Sequence, residues 1–157
     1  MASLSGQAYK VHMERILPTL LFTVLAAGCS DSQAPEAQVR TVIEGMEAAA
    51  EARDVGELMN HVSKDYRDAY GQGPQEAARY VRGFFLTTQK LHLLTRIDAI
   101  EFPGADEARA NVTVGMMSRE ADSADSWDLA ADLYEFDVGL ARDEGDWKVT
   151  YAEWKRR

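Results

Sequence analysis

The stretch Leu133-Tyr-Glu-Phe-Asp-Val-Gly-Leu-Ala-Arg-Asp-Glu-Gly-Asp-Trp-Lys-Val-Thr-Tyr151 holds two alternating runs joined by an acidic glycine turn. In the first run Tyr134, Phe136, Val138 and Leu140 share one side and Leu133, Glu135, Asp137 and Gly139 the other, the period of two that a half-buried strand requires. Asp143-Glu144-Gly145-Asp146 supplies the turn, and Trp147, Val149 and Tyr151 form the inward side of a last strand. Ala108, Ala110, Val112, Val114 and Met116 alternate in the same way over 108–118, after a turn at Pro103-Gly104-Ala105-Asp106. Leu91 to Phe102 reads as another strand, whose apolar positions change phase between Ile97, Ala99 and Ile100, Phe102, which points to a bulge. Consecutive strands joined by short turns predict an antiparallel meander, and burial of one face only predicts helices on that side.

Before Lys90 the period is helical. Val39, Val42, Ile43, Met46 and Ala50 fall at helical spacing, with Arg40, Glu44, Glu47 and Glu51 facing away, and the helix ends near Ala52. Asp54-Val55-Gly56-Glu57 is a capping-box candidate that opens a short helix carrying Leu58, Met59 and Val62. After Gly71-Gln72-Gly73, Pro74 suits the first turn of a third helix with Ala77, Tyr80, Val81, Phe84 and Phe85 as its inner stripe. The predicted fold class is α+β, three N-terminal helices packed on the concave face of a curved antiparallel sheet.

This order, ending in the strand Gly145-Asp146-Trp147-Lys148-Val149-Thr150, resembles the nuclear transport factor 2-like superfamily, the cystatin-like cone, over Gln38 to Trp154. The resemblance implies a pocket between helices and sheet, which ketosteroid isomerases, polyketide cyclases and scytalone dehydratases use for catalysis and other relatives for binding or pairing. A shared fold does not choose among these roles.

Ile16 to Gly28 carries no charge, follows Lys10 and Arg15 and ends in small residues, the pattern of a secretory signal peptide; it is too short to span a bilayer. Leu25-Ala26-Ala27-Gly28-Cys29 resembles the lipobox of bacterial lipoprotein precursors, with Ala26 where that pattern favours Leu. Cys29 is the single cysteine, so a thioether-linked lipid gives an exported thiol a purpose that no internal disulfide can. The expected organisation is a signal peptide over 1–28, a lipidated tether over 29–37 and the cone domain over 38–157. Met13 offers an alternative start to Met1. The expected location is the periplasmic face of a bacterial membrane, with Ser30 after the cysteine favouring the outer one.

Acidic residues number 26 against 17 basic, and the net charge of −9 argues against nucleic acid as a partner and against electrostatic attachment to anionic lipid. Asp122, Asp125 and Asp128 lack the glycine of a calcium loop, and His61 and His92 without a second cysteine argue against zinc. No phosphate loop or nucleophile elbow is present, and no cofactor is expected.

Cone-fold enzymes need a base and a hydrogen-bond donor in the cavity, and the residues expected to face inward are apolar or aromatic. Tyr66, Tyr70, Tyr80, His61, His92 and Asp98 remain as polar candidates near the cavity mouth. An acid–base pair of His61 and Asp98 requires the bulge to turn Asp98 inward. Tyr80, Phe84, Val114, Met116, Tyr134, Phe136 and Trp147 are the expected ligand-binding residues. Met117, Ala152 and Trp154 are expected on the outer sheet face, where Met117 and Trp154 suit a homodimer or another partner. The leading expectation is non-catalytic binding of a small apolar ligand or a protein partner. An isomerase, cyclase or dehydratase and a structural assembly module are the alternatives.

Overall fold

The structure, a computed structural model, describes residues 34–120 and 131–157. The stretch read as a signal peptide, Cys29 and the loop aspartates 122, 125 and 128 lie outside the described residues. The elements run α1 (Pro35–Glu51), α2 (Val55–Asn60), β1 (Val62–Asp68), α3 (Pro74–Thr87), β2 (Thr88–Gly104), β3 (Glu107–Glu120), β4 (Ala131–Asp143) and β5 (Asp146–Arg156). The strands form one sheet of order β1-β5-β4-β3-β2. The α+β class, the helical layer and the mostly antiparallel sheet agree with the sequence reading.

Proline at the first turn starts both long helices, where its missing N–H costs nothing. Helix α1 begins at Pro35, inside the stretch read as tether. Asp54 caps α2 by accepting from the Glu57 amide at 2.9 Å. The Glu57 carboxylate does not complete the box; it accepts from Asn60 at 3.1 Å. Val62, expected on α2, instead opens β1, which pairs parallel with β5. The β4–β5 hairpin turns on Glu144 and Gly145, at φ of 54° and 99°, the left-handed pair that matches strand twist in a two-residue loop.

The core lies between α1 and the inner sheet face: Val39 and Ile43 meet Ala108, Ala110, Val112, Leu140, Trp147 and Val149, with Tyr66 closing the β1 side. Two bulges set which residues face that core. In β2 the pairing slips between Ile97 and Ala99, as the phase change predicted. In β5, Val149 pairs Leu140 but Tyr151 pairs Gly139, leaving Thr150 as an extra residue. Beyond it the phase is inverted: Ala152 and Trp154 face the helices and Tyr151 faces out, the reverse of the sequence expectation. Gly139 accommodates this close approach, since a Cβ there would stand 3.1 Å from that of Tyr151.

Candidate functional site

The inverted phase of β5 gathers aromatic rings at one end of the inner face. Cross-strand register places Val112, Phe136 and Trp154 in one row and Val114, Tyr134 and Arg156 in the next. Trp154 stacks on Phe136 at 6.1 Å between centroids and 28° between planes. Phe136 contacts Tyr134 at 6.4 Å, and Tyr80 reaches down from α3 to Trp154 at 6.2 Å. This run is incompletely covered by the described residues: Tyr80 is 64% exposed and Trp154 37%. Phe84 lies half-buried one helical turn along, against Phe85 at 6.1 Å, and Val114 and Met116 are half-buried on β3. Six of the seven expected binding residues thus belong to the inner surface near this end.

Trp147 does not. It sits in the core at 4% exposure, its indole N–H donates to Gln38 of α1 at 3.1 Å, and the Arg142 guanidinium lies 4.8 Å over its ring. Phe102 meets its edge at 6.0 Å. These contacts fasten α1 to the hairpin end of the sheet.

A carboxylate and a cation that the sequence reading missed complete the aromatic end. Asp132 pairs with Met116 in register and so follows Tyr134 and Phe136 onto the inner face, where it forms an ion pair with Arg156. The Tyr134 phenol, beside Asp132, is pushed up from its ordinary value by burial first and then by the Asp132 charge. Extending the β4 alternation two residues back from Tyr134 would have exposed Asp132; finding Arg156 and Trp154 required the bulge.

The acid–base pair does not form. Asp98 projects on the outer face, accepting from Thr113 at 2.6 Å and Arg96 at 2.7 Å, and these bonds hold its carboxyl below the usual range. His61 lies in the helical layer, its ring against Gly45 of α1 and its Nε2 3.9 Å from Glu57. Burial lowers its pKa, partly opposed by Glu57 and reinforced by Lys148. Tyr66 is core, Tyr70 is 83% exposed, and His92 sits exposed, 3.8 Å from Glu51. Met117 and Trp154 occupy opposite faces, so they cannot form one outer patch.

The outer face carries a polar groove of about 390 Å³ bordered by Asp98, Asn111, Thr113, Glu135, Asp137 and Glu153. Its carboxylates are engaged within the sheet: Asp137 takes both prongs of Arg109 at 2.8 and 2.6 Å, and Glu135 is held low by Lys155 and Arg157. Among the described residues no His, Cys, Asp and Glu are grouped so as to hold a metal ion, and no helix is long and apolar enough to cross a membrane.

No known protein family matches the chain, nor does any curated protein. Solved structures do. A scytalone dehydratase candidate from Novosphingobium aromaticivorans is similar with a TM-score of 0.68 and 13% identity, over 78% of this chain and 83% of that one. A ketosteroid isomerase-like protein from Erwinia carotovora atroseptica has a TM-score of 0.63 and 14% identity, over 76% and 94%. A protein of unknown function with a cystatin-like fold from Nostoc punctiforme has 0.63 and 13%, over 78% and 90%. At such identities the likeness shows the fold, and the described domain has the cystatin-like cone fold of these proteins.

Proposed function

We propose that the domain is a non-catalytic binding module that takes a small, flat apolar ligand against the aromatic run at one end of its inner face. The observation that carries this reading is the line Tyr80, Trp154, Phe136 and Tyr134, rings in mutual contact yet partly exposed. Aromatic surface left partly open among the described residues is surface that gains from covering by a ligand. A lipid on Cys29 holds the protein to a bacterial membrane on its periplasmic side, the outer membrane by the residue that follows.

Native mass spectrometry of the full chain, purified from its own host, tests the binding reading. A small molecule that is lost on denaturing extraction supports it, and an empty protein that also fails to bind polycyclic aromatic probes overturns it. Cys29→Ser should release the protein to the soluble periplasmic fraction; continued membrane association would refute the lipid anchor.

An isomerase or dehydratase remains the second reading, favoured by the names of two of the structural neighbours. It would have to use Asp132, the carboxylate brought to the aromatic run. That group is committed to an ion pair with Arg156.

A further inference from the structure

The proposed site has a polar end with spare hydrogen-bonding capacity of one kind. We infer that its ligand carries an anionic terminus, a ring carboxylate, whose apolar body lies along Trp154 and Phe136 and whose charged end is taken by Arg156. This rests on the binding reading above and gives the ligand a chemical class.

Arg156 lies two residues beyond Trp154 on the same face and pairs in register with Tyr134, so its side chain starts where the aromatic run ends. A guanidinium offers five N–H donors. Among the described residues the Arg156 Nη2 donates to Asp132, and no other bond occupies the fork, whose side chain is 65% exposed. Asp132, 24% exposed, accepts from Arg156 and faces the Tyr134 phenol, so it has little capacity left for a ligand. Tyr80 adds a phenol at the rim, 64% exposed. The unused groups at this end are therefore mainly donors, and an acceptor satisfies them.

An anion does so better than a neutral carbonyl. Charge-assisted bonds to a guanidinium are roughly twice as strong as neutral ones and fit a planar carboxylate through two parallel contacts. The ion pair to Asp132 is no obstacle, because the Arg156 side chain is 65% exposed and its guanidinium, with donors to spare, can serve two carboxylates. Asp132 instead holds the fork at the end of the aromatic run while lowering the affinity for a second negative charge.

The test uses two probes of one shape, 2-naphthoate and the neutral 2-naphthamide, titrated calorimetrically into the full chain at neutral pH and low salt. We expect naphthoate to bind about tenfold tighter, the scale of one charge-assisted bond over a neutral one. Arg156→Gln should erase that preference by weakening naphthoate far more than naphthamide, and Asp132→Asn should tighten naphthoate alone. Binding of both probes with equal affinity, or a preference that survives Arg156→Gln, overturns the anionic assignment while leaving the binding module standing. Failure of both probes to bind removes the site itself and the assignment with it.

Discussion

Trp154 stacks on Phe136 across the β4–β5 ladder at 6.1 Å, although simple alternation from Trp147 would have sent it to the opposite face. The extra residue Thr150 reverses the strand, and the same reversal delivers Arg156 beside Asp132. One bulge thus builds both the aromatic run and its polar end.

Removing that indole tests its structural share. Trp154→Ala deletes the contacts to Phe136 and Tyr80, and because the ring is already 37% exposed the loss should fall below that of a fully buried aromatic. We expect about 2 kcal/mol in urea denaturation, with a cooperative transition retained. Loss of naphthoate and naphthamide binding should accompany it.

Gly45 and His61 form a tight joint between α1 and the start of β1. A Cβ on residue 45 would stand 2.7 Å from the His61 ring, closer than packed atoms tolerate. Gly45→Ala should therefore destabilise by about 1–3 kcal/mol, as overpacked sites do, despite the better helix propensity of alanine. In the His61→Ala background the same change should be neutral or favourable, which a double-mutant cycle would read as coupling.

Two groups give stability a dependence on pH. Burial lowers the His61 pKa below its ordinary 6.5, so below that value the unfolded chain takes up a proton that the folded chain resists. Stability should then fall as pH drops through this region, before carboxylates titrate, and level off once the folded imidazole also protonates. His61→Gln should flatten this limb in denaturation measured pH by pH. At the other extreme Tyr66 is pushed up to about 12, chiefly by burial and then by Asp68 and Tyr151. Its folded form keeps a proton that the unfolded chain releases near the ordinary value of 10, so stability declines as pH rises from 10 toward 12. Tyr66→Phe should reduce that decline, the part that remains coming from the Tyr134 phenol, which is also raised.

Gln38 is the acceptor for both Trp147 at 3.1 Å and Arg142 at 3.0 Å. Gln38→Ala strands a buried indole N–H and should cost about 1–3 kcal/mol by thermal or chemical denaturation. Gln38→Glu retains the acceptor and should recover most of it.

Local pattern alone determined much of this protein. The period-two runs at Ala108–Met116 and Tyr134–Leu140 named the inner face of β3 and β4, because successive side chains of a strand must point to opposite sides. Pro74 and the Asp54 cap marked helix starts, the acidic glycine turn marked the hairpin, and the phase change at Ile97–Ala99 marked a bulge. What only the tertiary structure decided depends on distant backbone pairing. The short β1, with Lys64-Asp65 interrupting any alternation, exists as a strand because it adds in parallel to the edge of β5. Thr150 carries no local mark of a bulge; it is extra only against Gly139 and Leu140 of the neighbouring strand. Asp98 was placed by Thr113 and Arg96 on the outer surface, and His61 by the gap above Gly45. Alternation reports which residues share a face only until a residue is inserted. The register that shows the insertion belongs to two strands at once, and so does the site it creates.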